Sequence, residues 1–151
     1  MKKILCVVQK DQISKTKIKI LEQGLKDRYR DHHDPNEKVS VYWMIVPEGY
    51  AYSERQASKA MIVMIEVEDG VQSEQREKLM GIFSRFILEQ CDMSPYDLVL
   101  TVPDQAFVDQ YFLAQRNRSS RKARKWVGLK IFATALFSKL KDGFLRIPVR
   151  L

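Results

Sequence analysis

Residues 61–102, MIVMIEVEDGVQSEQREKLMGIFSRFILEQCDMSPYDLVLTV, decide the fold. The apolar run 61–67 reads as a strand, and Asp69-Gly70 behind it is a turn signal. Ser73 stands where a helix N-cap belongs, and Glu74 in the first turn complements the positive end of the helix dipole. Over 73–91, Leu79, Ile82, Phe83, Phe86 and Ile87 recur at three- and four-residue spacing and form one apolar face. Ser94-Pro95 then leads into a second short strand over 97–102.

The same strand–helix–strand order occupies the first 46 residues. KKILCVV (2–8) is a strand and Lys10-Asp11-Gln12 a polar turn. Ser14 caps a helix over 14–31, where Ile18, Leu21, Leu25 and Tyr29 form the apolar stripe and Lys15, Lys17, Lys19 and Lys26 face water. Gly24 inside this helix costs about 1 kcal/mol against alanine, so a close crossing over a strand is expected there. Asp34-Pro35-Asn36 ends the helix, because proline cannot continue it. KVSVYWMIV (38–46) is the second strand, stopped by Pro47-Glu48-Gly49.

Strands joined through a helix are most often parallel neighbours with a right-handed crossover. Two such units predict an α/β fold in which a four-stranded sheet carries two helices on one face. A ferredoxin-like sheet has the same element order, and periodicity does not separate the two. The other face, with residues such as Trp43 or Tyr42, needs a cover, and oligomerisation is the simplest one.

A chain of 151 residues that is 45% hydrophobic can bury one core. Cys6 and Cys91 make no disulfide framework and are expected as small apolar core residues. The basic start is followed by only the five apolar residues ILCVV, too few for a signal peptide. No window reaches the roughly 18 uninterrupted apolar residues of a membrane span. A cytoplasmic protein is therefore expected.

The net charge of +7 divides unevenly. Residues 116–151 hold eleven Lys and Arg against Asp142 alone, leaving 15 basic and 18 acidic side chains in residues 1–115. A mildly acidic domain over 1–115 thus precedes a basic extension over 116–151.

Several stretches are similar to the tautomerase superfamily: VVQKDQIS (7–14), YWMIVPEGYAYSERQAS (42–58), EDGVQSEQREKL (68–79) and MSPYDLVLTVPDQAFVDQYF (93–112). The resemblance is to the fused two-unit members of the cis-3-chloroacrylic acid dehalogenase type, and it spans roughly residues 2–113. It implies a homotrimer with sites at the strand edges. There an N-terminal proline amine moves a proton on a small 2-oxo acid or enol, and cationic side chains hold the substrate carboxylate. The proline position falls on Lys2, behind Met1, so this chain lacks the secondary amine. The helix-end histidine of the dehalogenases falls on Tyr29, and their water-activating carboxylate on Asp109. Their paired arginines fall near Glu68 and Val71 or Gln72; Arg76 is the nearest replacement.

The resemblance thus makes Lys2, Tyr29 and Asp109 the candidate catalytic residues, with Arg76 and Trp43 as candidate substrate-binding ones. Dehalogenation is not expected. His32-His33 beside Asp31 and Asp34 lacks a third ligand at suitable spacing, and adjacent residues point apart, so no metal and no cofactor is implied.

The basic extension begins RNRSSRKARK (116–125) and continues as a helix over 126–141, ending at Asp142-Gly143. Trp126, Leu129, Ala133, Leu136 and Leu140 lie on one stripe, widened by Ile131, Phe132 and Phe137. Packing of this stripe on the body or on a neighbouring subunit is the first expectation. Contact with an anionic membrane or with nucleic acid are the others. The whole reads as a divergent tautomerase-like protein with an altered site. The alternative is a non-catalytic oligomeric binding protein that uses its basic tail on a partner.

Overall fold

The computed structural model of this chain describes residues 1–49, 52–53, 56–117 and 120–148. In chain order these form β1 (Lys2–Gln9), α1 (Lys15–His32), β2 (Val39–Val46), β3 (Tyr52–Ser53), β4 (Gln56–Ala57), β5 (Met61–Ile65) and α2 (Ser73–Cys91). There follow β6 (Leu98–Thr101), α3 (Gln105–Asn117), α4 (Arg121–Asp142) and β7 (Leu145–Ile147). The β3–β4 hairpin stands apart from the main sheet.

The main sheet runs β6-β5-β1-β2-β7. Within each unit the strands are parallel, β1 with β2 and β5 with β6, and the units meet through the antiparallel pair β1–β5. A ferredoxin-like sheet would interleave strands of the two units, so the side-by-side arrangement is the one formed. It has one strand more than the sequence suggests. Three residues of the tail, Leu145–Ile147, add parallel to β2 and give five strands. The expected division at 115/116 falls inside α3.

The core lies between the sheet and helices α1 and α2. Ile4, Cys6 and Val8 of β1, Val41 and Trp43 of β2, and Met61, Val63 and Ile65 of β5 meet the stripe Ile18, Leu21, Leu25 and Tyr29 and its α2 counterpart Leu79, Phe83 and Ile87. Burying each large apolar side chain stabilises the fold by about 1.5–3 kcal/mol. Ser14 caps α1 as expected, its hydroxyl accepting from the Lys17 amide at 3.2 Å. In α2, Ser73 is the first helical residue and Gln72 the cap, with no side-chain hydrogen bond.

Gly24 does mark a close crossing, but over a helix and not a strand. A Cβ there would collide with the Phe86 ring of α2, over which the Arg28 guanidinium stacks at 3.6 Å. Cys6 is wholly buried, and burial pushes its thiol far above the ordinary range, as expected of a core residue. Trp43 requires a correction. Side chains alternate along a strand, so it points with Val41 into the helix-covered core, edge-on to Phe144 at 6.4 Å between centroids. Its neighbour Tyr42 takes the other face.

That second face carries Lys3, Leu5, Tyr42 and Met64, partly overlain by α3 and α4. Asp69 anchors α3 by accepting from the Ala106 amide at 2.8 Å. Helix α4 starts at Ser120, whose hydroxyl accepts from the Ala123 amide, and stops at Gly143, which adopts φ +85°. Asp142, buried at its end, pairs with Lys15 at 2.6 Å and with Arg146 at 3.4 Å; Lys15, with Arg146, holds its carboxyl below the usual range.

Candidate functional site

β1 opens with Lys2 and Lys3, and the alternation of a strand sends these neighbours to opposite faces. Two polar clusters result.

Lys2 turns to the helix side and is 4% exposed. Its Nζ donates to Gln105 Oε1 at 2.7 Å and pairs with Glu68 at 3.2 Å. Glu68 also contacts His33 Nε2, whose ring meets Tyr29 edge-on, with centroids 5.0 Å apart. Burial would raise the Glu68 carboxyl, yet its own backbone N–H together with His33 and Lys2 keeps it below the ordinary range. The α-amino group of Met1 pairs with Glu37 at 2.7 Å and lowers that carboxyl too. Carboxylate oxygens of Asp34, Glu37 and Glu68 lie within 4.8 Å of one another. Since the Met1 α-amino group and Lys2 already pair with Glu37 and Glu68, and His33 contacts Glu68, the group is a polar network whose partners a metal ion would have to displace.

Tyr29 borders this network. Its hydroxyl donates to the Glu66 backbone carbonyl at 3.1 Å, and burial first, with Glu68 next, pushes its ionisation far upward. It is therefore a neutral donor that fixes the backbone at Glu66.

Lys3 turns the other way, into a cleft of about 330 Å3 between the open sheet face and helices α3 and α4. Leu5, Tyr42, Met64, Val108, Ile131 and Ile147 give it apolar walls. Its polar end is Lys3, Glu66 and Asp109. Lys3 Nζ lies 3.4 Å from Glu66 Oε2 and 3.9 Å from Asp109 Oδ1. Glu66 is the cross-strand neighbour of Lys3, its amide donating to the Lys3 carbonyl at 3.0 Å. The Glu66 side chain is 2% exposed, and its Oε1 has no hydrogen-bond partner among the described residues. A buried carboxylate oxygen without a donor is costly, unless something that enters the cleft supplies one.

The five residues singled out in the sequence are thus dispersed. Lys2 and Tyr29 adjoin the ion-pair network, and Asp109 stands across the sheet beside Lys3. Trp43 is sealed in the core. Arg76 donates to the carbonyls of Val71 and Val102, both at 2.8 Å, and pairs with Asp104, tying the start of α2 to the end of β6. Sequence reasoning missed Lys3 and Glu66. The signal was present: both are charged residues inside otherwise apolar strand runs, in KKILCVV and MIVMIEV.

No protein-family model and no curated protein matches this sequence. Solved structures do match in shape. N1, a member of the cis-3-chloroacrylic acid dehalogenase family, superposes with a TM-score of 0.63 at 14% identity, over 68% of this chain and 73% of that one. A native fused 4-OT gives 0.60 at 14% identity, over 68% and 85%. Pt0534, solved after inactivation by 2-oxo-3-pentynoate, gives 0.61 at 18% identity, over 68% and 84%. The fold of this chain is that of the tautomerase superfamily, as the sequence resemblance implies.

Proposed function

We propose that this protein moves a proton on a small enolisable carbonyl compound, and that the reaction takes place in the Lys3–Glu66 cleft. The observation that carries this reading is the buried Glu66 carboxylate, with one oxygen free of partners, at the end of an apolar cleft beside an ammonium group. Glu66 is then the base that removes a proton from the carbon next to the carbonyl. Lys3 steadies the enolate oxygen that forms, and Glu66 returns the proton to that oxygen, so no proton is consumed. Asp109 holds Lys3 from the solvent side. Tyr29 acts through Glu66, whose backbone it fixes, and is a positioning residue.

Charge sets the substrate class. Glu66 and Asp109 together outweigh Lys3, so an uncharged carbonyl compound suits the cleft better than the 2-oxo acid implied by the sequence resemblance. Fused 4-OT proteins solved as trimers lend support to a trimer here. Light scattering at three times the 17.7 kDa chain mass is the expected result.

The functional test follows enol–keto interconversion of acetylacetone and of phenylenolpyruvate by ultraviolet absorbance. Turnover of acetylacetone above the buffer rate, lost in Glu66→Gln, is expected. Preference for the anionic phenylenolpyruvate would overturn the substrate class. Full activity in Glu66→Gln would overturn the site.

A further inference from the structure

Helix α4 is amphipathic in the opposite sense to a helix that belongs to a core. It meets the body through a narrow face that includes Ile131, Ser138 and Asp142, where Ser138 Oγ accepts from the Arg146 amide at 2.8 Å and Asp142 holds Lys15 and Arg146. The residues expected to pack inward point outward. Trp126, Leu129, Phe132, Leu136, Phe137 and Leu140 are between 51% and 80% exposed.

At about 100° per residue these six occupy one continuous arc of roughly 140°. Lys139 borders one edge of it, Lys130 and Lys141 the other, and Lys122 and Lys125 stand at its N-terminal end. With 22 residues the helix is about 33 Å long. Among the described residues no helix is long and apolar enough to cross a membrane.

We propose that α4 is a docking surface for an anionic lipid bilayer, lying in the interface with this arc among the acyl chains and its lysines at the headgroups. Two properties favour that occupant, and two arguments weigh against its rivals. An apolar strip with cations along both edges matches the cross-section of a bilayer surface, where lysine stems lie on hydrocarbon and ammonium groups reach phosphate. Trp126, at one end of the arc, is a residue type that favours the headgroup level. A second copy of the helix laid on the first would bring lysine rows against lysine rows. A nucleic acid would engage the cations and leave the six apolar side chains in water.

The test uses the full chain with vesicles of phosphatidylglycerol and phosphatidylcholine, against vesicles of phosphatidylcholine alone. Flotation with the anionic vesicles is expected, with a blue shift of Trp126 fluorescence; the buried Trp43 supplies a constant background. Phe132→Glu/Phe137→Glu should reduce partition at least tenfold. Since those side chains are exposed, the circular dichroism of the body should not change. Lys125→Glu/Lys130→Glu should weaken binding by roughly fivefold or more per residue and leave neutral-vesicle partition unaltered.

Failure to float with anionic vesicles would overturn the proposal. So would adsorption that Phe132→Glu/Phe137→Glu leaves intact, which is charge attraction alone, or equal binding of an oligonucleotide by that variant and the native chain. Self-association that the same variant abolishes, without vesicle binding, would assign the surface to a second copy.

Discussion

Lys2 and Lys3 are adjacent in the chain and chemically identical, yet they stand in opposite situations. Around Lys2 the polar groups meet one another: its Nζ reaches Gln105 and Glu68, and Glu68 also contacts His33, whose ring packs edge-on to Tyr29. Around Lys3 the polar groups sit at the end of a cleft, and one oxygen of Glu66 is left without a donor. A satisfied network holds a fold together. A buried carboxylate with an unpaired oxygen at the end of an apolar cleft is placed as a general base would be. Under the proposed function, the first region serves stability and the second chemistry.

The largest effect that can break this division is in turnover. Glu66→Gln should lower the rate by a factor of about 100 to 10,000, the usual contribution of a positioned base. Initial rates on acetylacetone measure it, with urea melts confirming that the variant folds.

Next comes the mirror experiment on the other lysine. Lys2→Met should destabilise the protein by about 1–3 kcal/mol, through loss of charged hydrogen bonds to Gln105 and Glu68, and leave the rate within a few-fold. Urea unfolding and the same assay read both quantities. A variant that stays stable and loses turnover would reverse the assignment.

Tyr29→Phe removes only the hydroxyl that holds the Glu66 carbonyl. A stability loss of about 1 kcal/mol is expected, with a several-fold fall in kcat and little change in KM. An unchanged kcat would mean that Tyr29 serves the core alone.

The smallest effect concerns pH. The folded Glu68 carboxyl lies below its unfolded value of about 4.3, so the unfolded chain binds more protons in that region. Its stabilisation is complete above that value and lost as the pH falls through the folded pKa. Glu68→Gln should therefore flatten the acid limb of stability against pH. The effect is slight, since Glu68 is half-exposed, and an unaltered slope would remove Glu68 from the network's energetics.

Much of the fold was legible because it is local. Strand runs, helix stripes and the cap at Ser14 are written in contiguous residues, and both β-α-β units follow from them. β7 was not legible: three residues carry no period, and its pairing with β2, next to the Phe144–Trp43 contact, joins distant parts of the chain. Nor was the outward turn of α4, since a stripe on a helical wheel does not say which side meets the body.

The candidate site illustrates the same limit. Resemblance points to Lys2, which faces the helices, while Lys3, one residue and one face away, lines the cleft. Glu66 joins Lys3 only through the antiparallel register of β1 and β5, a contact between positions 63 residues apart. No local pattern carries that register.

The most direct test of the central claim is exchange of the α-protons of an uncharged ketone, such as cyclohexanone, for deuterium, followed by proton NMR. Native protein, Glu66→Gln and Lys2→Met would be compared at equal folded concentration. Exchange catalysed by the native chain and by Lys2→Met, and reduced to the buffer rate in Glu66→Gln, is the predicted result. Exchange that survives in Glu66→Gln and disappears in Lys2→Met would contradict the account.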